Sequence, residues 1–319
     1  MIQVNPSENP PRKPHSDWLL KIVLFGGYFS GVFPWAFETW NRPSSYWKRL
    51  PSLLISAFNC ISHMVATISL SVVAQDEPSD EEMSSVVLDA GQQILYNLFN
   101  VMLLLQGLWP RSKEPLTRNF TKNRWHLLLI APLLPPTVYI CYLKVVDIAH
   151  TLPSISLLVI TLALFFVSTA CCLLICGYAD QYRNIQDQTA ASVEDAFNDI
   201  RLEIRRFLDF FQTLLLMCIL YSAISGFIHL HYIIQIRFYD GGWRKSYDFH
   251  ATAAVLFFGV LITLDLSAEH LTKSYESAVD RVLKAKRLQD RADRNEIREL
   301  ENKFRKWPAS QTAMEELKK

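Results

Sequence analysis

The stretch Ile148–Ala179 reads IAHTLPSISLLVITLALFFVSTACCLLICGYA and contains no Lys, Arg, Asp or Glu. A run of about 18 or more predominantly apolar residues indicates a helix that crosses the hydrocarbon core of a bilayer. This stretch exceeds that length, so it predicts a membrane-spanning helix. A soluble α/β or all-β domain is excluded by the same run.

Five other stretches repeat this pattern along the chain. All five also lack Lys, Arg, Asp and Glu. After the last of them the chain passes Asp265 and continues to Ala268 with uncharged residues. Each predicts a further span. The stretches are Leu50–Gln75, Ala90–Pro110, Trp125–Leu143, Phe210–Ile236 and Phe249–Leu264.

The average composition conceals this segregation. The chain has 319 residues, 32 Lys+Arg against 31 Asp+Glu, a formal net charge of +1 and 50% hydrophobic residues, which are values typical of a soluble enzyme. A nucleic-acid-binding protein needs a surplus of basic residues on one face, which this balance argues against. The arrangement of the residues is therefore more informative than their totals.

The segment Ile22–Phe37 is apolar but short. It covers about 24 Å as a helix, less than the ~30 Å hydrocarbon core. Gly31 and Pro34 disfavour an unbroken helix, and the tryptophans that follow prefer the membrane interface. We therefore interpret this segment as interfacial or re-entrant. The polar, proline-rich residues 1–17 do not resemble a cleavable signal peptide.

The loop charges predict the orientation, because basic loops stay on the cytoplasmic side. The loop after Gln75 contains five acidic residues before Met83 and no basic residue, whereas the loop after Pro110 contains five basic residues. The loop after Pro110 is therefore predicted to be cytoplasmic. The same prediction applies to the region before Leu50 and to the region after Ala268. The loop with Arg237, Arg244 and Lys245 does not follow the rule.

The predicted fold class is thus an all-α polytopic integral membrane helical bundle with six spans, an interfacial or re-entrant N-terminal segment and long cytoplasmic helices. Residues 1–49 form a cytoplasmic tail and the interfacial segment, and residues 50–272 form the transmembrane domain, which includes a cytoplasmic helix at 180–209. Residues 273–319 form a cytoplasmic helical tail. Counting Ile22–Phe37 as a span gives seven spans and an external N-terminus, the arrangement that a G-protein-coupled receptor would need.

The cytoplasmic helices carry an a/d heptad seam on one face. Its apolar residues alternate at spacings of four and three, and charged residues flank them. The seam permits two interpretations that are compatible: packing of cytoplasmic helices within one subunit, or an assembly helix between subunits. The seam residues are Val193, Phe197, Ile200, Ile204, Phe207 and Phe211.

The six cysteines all lie within apolar stretches and lack metal-ligand spacing. Free cysteine behaves as a small hydrophobic residue, so we expect these residues to pack in the core. No nucleotide loop, catalytic array or metal motif is present in the sequence. The sequence predicts neither a cofactor nor an enzymatic activity.

The layout resembles the arthropod gustatory receptors, of the insect-type chemoreceptor superfamily. The resemblance covers roughly residues 20–288. It is carried by LLKIVLFGGYFSGVFPWAF before the first predicted span, by IRRFLDFFQTLLLMCILYSAISGFIHLHYII, by LDLSAEHLTKSYESAVDRVLKAK, and by the cytoplasmic N-terminus. The resemblance rests on spacing and residue class, because this family shares very few invariant residues.

The resemblance implies a multi-pass plasma-membrane protein with both termini in the cytoplasm. Members of this family bind small-molecule tastants and act as ligand-gated cation channels assembled as tetramers. Their last span lines the pore, and here the residues after Arg287 contain no apolar stretch. The resemblance therefore implies ligand binding and assembly with related receptors, but leaves conduction by this chain in doubt.

Polar residues inside the predicted spans are the candidate ligand site. Gln93, Tyr96, Asn97 and Asn100 share one helix face, and a second face runs from Ser52 to Thr67. Such faces turn inward because polar groups exposed to lipid are costly. They form either hydrogen bonds between helices or the wall of a cavity open to the outside. The candidate pocket residues are Gln93, Tyr96, Asn97, Tyr142, His229, Tyr232 and His250.

Three further features complete the sequence-based predictions. His229 and His231 are two positions apart, so they point to different faces and form a poor metal pair. Asp265 and Glu269 are acidic residues near the end of the last span and are possible partners of Lys273. A small-solute transporter is a third alternative, but it would require an internal repeat and midplane charges, which the sequence lacks.

Overall fold

The computed structural model describes residues 18–33, 47, 49–73, 80–108, 125–147, 152–185, 190–238 and 245–306. All the regular elements among them are helical. The α-helices are α1 Trp18–Phe29, α2 Leu50–Val73, α3 Asp80–Leu108, α4 Trp125–Ile130, α5 Leu134–Asp147, α6 Leu152–Arg183, α7 Ala190–Phe238 and α8 Lys245–Lys306. A 3₁₀ turn at Ala131–Leu133 joins α4 to α5.

Four of the described segments are long and apolar enough to cross a membrane, so the chain is a membrane protein. They lie at Leu128–Val145, Leu158–Arg183, Phe211–Arg237 and within Tyr247–Asn295. The apolar helix Leu50–Val65 is shorter. The all-helical fold is therefore confirmed and has four candidate spans, whereas the six-span count stays a prediction.

The core of the bundle lies around α6, which packs against α1, α2, α4, α5, α7 and α8. Most of α6 belongs to the charge-free stretch Ile148–Ala179. That stretch therefore forms the helix that contacts most of the others. Leu164, Val167 and Cys171 are fully buried in this core. All six cysteines are free, and all except the half-buried Cys141 are buried.

Helix α1 is short and packs along one side of the bundle. Leu20, Leu24 and Tyr28 are buried, whereas Phe25 and Phe29 on the other face are exposed. The helix ends at Phe29, and the turn after it contains Gly31, whose φ of 78° is accessible to glycine at low cost. The early end of the helix agrees with the predicted break, while the interfacial position of the segment stays a prediction.

The stretch Trp125–Leu143 contains Pro132, Pro135 and Pro136. Proline is expected to kink a helix, and the structure has a distortion at this place. The 3₁₀ turn interrupts the helical hydrogen bonding there and leaves backbone carbonyl groups in need of donors. The Thr137 hydroxyl donates to the Leu133 carbonyl oxygen over 2.6 Å. The Thr263 hydroxyl of α8 donates to the Leu129 carbonyl oxygen over 3.3 Å. The distorted helix is therefore tied to α8.

Candidate ligand site

The polar faces predicted on α2 and α3 point into the bundle. Ser52, Asn59 and His63 of α2 are buried, as are Tyr96 and Asn100 of α3. Interior polar faces limit the cost of placing these groups at membrane depth. The sequence-based prediction that these faces turn inward is confirmed.

The two faces contact each other directly. The Asn97 amide nitrogen donates to the Thr67 hydroxyl over 3.0 Å, and the His63 and Tyr96 rings stack with their centroids 5.2 Å apart. The first contact is the kind of interhelical hydrogen bond that the sequence allowed as one interpretation. It holds Tyr96 and Asn97 in place against α2.

Three side-chain atoms on the α3 face are buried and have no hydrogen-bond partner among the described residues. They are Gln93 Oε1, Asn97 Oδ1 and Asn100 Nδ2. A buried polar group without a partner costs about 1–3 kcal/mol. Interhelical hydrogen bonding therefore satisfies this face only in part, and the face offers both acceptors and a donor.

A row of aromatic rings leads from α3 to α7 and α8. The Tyr96 ring lies 4.8 Å from Tyr221 of α7, and Tyr221 lies 5.5 Å from Phe257 of α8. Phe257 in turn stacks on His229 with nearly parallel rings 5.4 Å apart. Separations of 4.5–7 Å are those of favourable ring pairs. We call these four rings the aromatic row.

The aromatic row ends in a pair of histidines. His229 Nδ1 and His250 Nδ1 face each other at 2.8 Å. A hydrogen bond between them requires one Nδ1 to carry the hydrogen and the other to offer its lone pair. At least one of the two rings is therefore neutral, since an imidazolium has no free lone pair.

Two further side chains and a cation surround this pair. The Tyr232 ring lies 4.8 Å from His250, and Phe249 meets the His229 ring edge-on at 5.7 Å. The Lys144 ammonium from α5 lies over the Phe249 ring, 4.7 Å from its centroid, in a cation–π geometry. We call Lys144, His229, Tyr232, Phe249 and His250 the histidine cluster.

The structure thus connects most of the predicted pocket residues. Tyr96 and His229 belong to the aromatic row, Gln93 and Asn97 flank Tyr96 on α3, and Tyr232 and His250 lie at the end of the row. The remaining candidate, Tyr142, is 64% exposed on α5 and is directed away from the bundle interior. His231 is also exposed, in agreement with the prediction that it and His229 point to different faces.

Sequence reasoning missed the buried carboxylate of the bundle. Asp180 is 2% exposed, and one of its oxygens lies 3.8 Å from His270 Nε2 of α8. The residue directly follows the charge-free stretch, so the sequence places it at the start of the predicted cytoplasmic helix 180–209 and outside the bundle. Continuation of α6 to Arg183 places it inside. Asp265 and Glu269 are exposed instead, and Glu269 pairs with Lys273 at 2.6 Å.

The heptad seam of α7 packs against other helices of the same chain. Val193, Ile200, Phe207 and Phe211 are buried, while Phe197 and Ile204 are half-buried and pack on the same interior. The rings of Tyr182, Phe197 and Tyr275 form a triangle with centroids 5.3–5.6 Å apart. We call this triangle the aromatic cluster. Packing within one subunit is therefore the interpretation that the structure supports, and assembly through α7 stays a prediction.

An arginine of α8 closes the end of α6 beside the aromatic cluster. Arg281 Nη1 donates to the carbonyl oxygens of Arg183 over 2.8 Å and Ile185 over 3.0 Å. Carbonyl groups at a helix C-terminus lack partners within the helix, and a cation there also opposes the helix dipole favourably. Lys286 adds an ion pair to Glu194 of α7 at 2.8 Å.

The chemistry available at these sites is recognition by hydrogen bonds and ring contacts. Among the described residues, no three His, Cys, Asp or Glu side chains converge as metal ligands would. The chain was also compared with protein-family models, curated proteins and solved structures, and none of them matches. The functional interpretation therefore depends on the residues themselves.

Proposed function

We propose that this chain is a gustatory-receptor-like chemosensory membrane protein that binds a small external ligand. The observation that supports the proposal best is the aromatic row, because it joins the partly unsatisfied polar face of α3 to the histidine cluster. Ligand sites of this kind are mostly apolar and aromatic, with a few convergent polar groups. The predicted orientation places the row in the outer half of the membrane.

The unsatisfied polar atoms of the α3 face would favour binding of a ligand that forms hydrogen bonds with them. Gln93 Oε1, Asn97 Oδ1 and Asn100 Nδ2 are buried without partners among the described residues. A ligand that supplies a hydrogen bond to each atom recovers their desolvation cost of about 1–3 kcal/mol apiece. The neighbouring rings of Tyr96 and Tyr221 provide apolar surface for the remainder of the ligand.

Binding would influence the other end of the protein through α7 and α8. Both helices are continuous from the histidine cluster to the aromatic cluster. A ligand shifts a conformational equilibrium only by its difference in affinity between two states. In our proposal the two states differ in how α7 and α8 pack, and the change gates cation flux in a tetramer.

A ligand panel tests binding directly. Purified protein in detergent is heated with single compounds from three groups: neutral sugars, amino acids and amphiphilic alkaloids. A ligand that binds the native state raises the unfolding midpoint in a concentration-dependent way. We expect at least one compound to do so in the original chain, and expect the shift to be lost in Tyr96→Phe or Asn97→Ala. Tyr142→Phe is the matched control, because that side chain is exposed.

A topology experiment tests the membrane arrangement separately. An epitope tag before Asp17 should be inaccessible to antibody in intact cells and accessible after permeabilisation. Labelling in intact cells would contradict the proposed receptor type and would favour the seven-span G-protein-coupled arrangement. Helix α1 has 12 residues and is about 18 Å long, which is short for the additional span that this alternative needs.

A further inference from the structure

The histidine cluster combines a cation with hydrogen-bonding rings at one end of the bundle. Lys144 is three residues before the end of α5, His229 and Tyr232 are in the last three turns of α7, and His250 is in the second turn of α8. The helices that carry these residues therefore meet near one membrane surface. The predicted orientation makes this the outer surface.

A positively charged ligand fits this cluster poorly. The Lys144 ammonium lies over Phe249, and Phe249 directly contacts both His229 and His250. A metal ion would have to separate two Nδ1 atoms that already share a hydrogen, and would do so near a fixed positive charge. The exposed carboxylate of Asp248 is adjacent in sequence but is turned to the surface.

An oxyanion fits better on electrostatic and hydrogen-bonding grounds. Ammonium groups form charge-assisted hydrogen bonds to carboxylates, which are about twice as strong as neutral ones. The His229–His250 pair holds one hydrogen between its Nδ1 atoms, so a neutral pair has one Nε2–H donor and one Nε2 lone pair. An anion nearby would also favour uptake of one further proton by the pair, which converts the Nε2 lone pair into a second Nε2–H donor.

We propose that Lys144, His229 and His250 bind the carboxylate of a small organic acid that enters from outside. The apolar part of the acid packs on the rings of Phe257 and Tyr232, which flank the pair. The inference rests on the proposed function and specifies the charge of the ligand. A short aliphatic or an aromatic monocarboxylate has the required size and chemistry.

The test uses benzoate as the probe and benzamide as its uncharged equivalent of the same shape. The full chain is placed in nanodiscs of zwitterionic lipid, and the unfolding midpoint is measured against the concentration of each compound. We expect benzoate to raise the midpoint and benzamide to have at least a tenfold weaker effect. Equal effects of the two compounds would overturn the proposal, as would no effect of benzoate.

Substitutions test whether benzoate raises the unfolding midpoint by binding at the histidine cluster. Lys144→Gln and His250→Gln should each weaken the apparent benzoate affinity about tenfold or more, since a charge-assisted hydrogen bond is lost. Tyr142→Phe, two residues from Lys144, should leave it unchanged. If Lys144→Gln proves unstable, Lys144→Arg keeps the charge and should keep most of the benzoate effect. Unchanged affinity in both Gln variants would overturn the assignment.

A second arm separates a soluble acid from the phosphate of a lipid headgroup. Inorganic phosphate is titrated against the protein in detergent without lipid, and benzoate is then added in competition. Benzoate binding that phosphate does not reduce supports a carboxylate site. Binding of phosphate alone would overturn the proposal in favour of a lipid contact.

The results also distinguish this inference from the proposed function. If benzoate has no effect but a neutral compound of the panel shifts the midpoint through Asn97, the receptor function stands and the carboxylate site fails. If neither benzoate nor any panel compound has an effect, and the tag before Asp17 is labelled in intact cells, the proposed function fails as well.

Discussion

The histidine cluster and the aromatic cluster lie about 40 Å apart along the same pair of antiparallel helices, with some 25 or more residues between them on each helix. Rings of α7 and α8 contribute to both clusters, and the aromatic cluster also includes Tyr182 of α6. The histidine cluster brings together a cation, two imidazoles and two further rings, of which only His229 is buried. In the aromatic cluster the rings of Tyr182, Phe197 and Tyr275 pack on one another, and the charged side chains Lys286 and Glu194 pair near the surface.

This difference distinguishes two roles of packed aromatic rings. Ring packing with charges kept near water stabilises a fold, because it removes apolar area from water at low desolvation cost. Polar groups placed among rings stabilise less and leave hydrogen-bonding capacity for another molecule. We therefore expect substitutions in the aromatic cluster to affect stability most, and those in the histidine cluster to affect ligand response most.

The largest loss of stability is expected from Tyr182→Ala. Its side chain is 1% exposed and touches both other rings of the aromatic cluster. Truncation of a buried aromatic side chain costs about 3–5 kcal/mol. Thermal unfolding in detergent should show a large fall in midpoint. Leu283→Ala on α8, where the side chain is 48% exposed, is the control and should change it little. Equal effects would remove the contrast between the clusters.

A double-mutant cycle in the histidine cluster should give the next largest effect. His229→Phe or His250→Phe alone leaves a buried nitrogen without its partner, at a cost of about 1–3 kcal/mol. The double variant replaces both partners and should cost no more than either single change. The unfolding midpoint of the double variant is therefore higher than the sum of the two single-variant losses would give. Strictly additive losses would show that the 2.8 Å contact contributes nothing.

Removal of the Arg281 guanidinium should have a moderate effect. Arg281→Gln deletes two hydrogen bonds to the end of α6, and we expect a loss of about 1–2 kcal/mol. Gln has nearly the helix propensity of Arg, so the change reports on the contact. Arg287→Gln, one and a half turns further along α8 and exposed, is the matched control. A similar midpoint for both variants would contradict a role for Arg281 at the end of α6.

The smallest effect is expected from Glu269→Gln. The residue is exposed and pairs with Lys273 on the surface of α8. Exposed ion pairs contribute little because water and salt screen them. The unfolding midpoint should be unchanged within error at 0.15 M salt. A fall as large as that of Arg281→Gln would mean that surface charge, rather than ring packing, stabilises this half of the molecule.

The sequence predicted those features that depend on local pattern. Charge-free stretches marked the long helices, prolines marked the distortion at Ala131–Leu133, and the heptad seam marked the buried face of α7. Each is a regularity within about 30 residues of chain. The inward direction of Tyr96 and Asn100 also follows from such a pattern.

These patterns do not predict which residues of different helices contact each other. Nothing in the sequence relates His229 to His250, because their contact depends on the register of two separate helices. Tyr142 has the same residue type as other pocket candidates, and only the packing of α5 shows that it faces outward. Asp180 was missed because the predicted span ended one residue before it, whereas α6 continues to Arg183.

The unbroken length of α8 has a mechanical consequence. With 62 residues, this helix is about 93 Å long, roughly three times the thickness of the hydrocarbon core. A stiff rod of that length converts a small angle into a large displacement. A tilt of about 3° at the histidine cluster moves its far end by about 4–5 Å, close to one helical pitch. A small change in packing at the histidine cluster would therefore become a movement of several ångströms at the other end of α8.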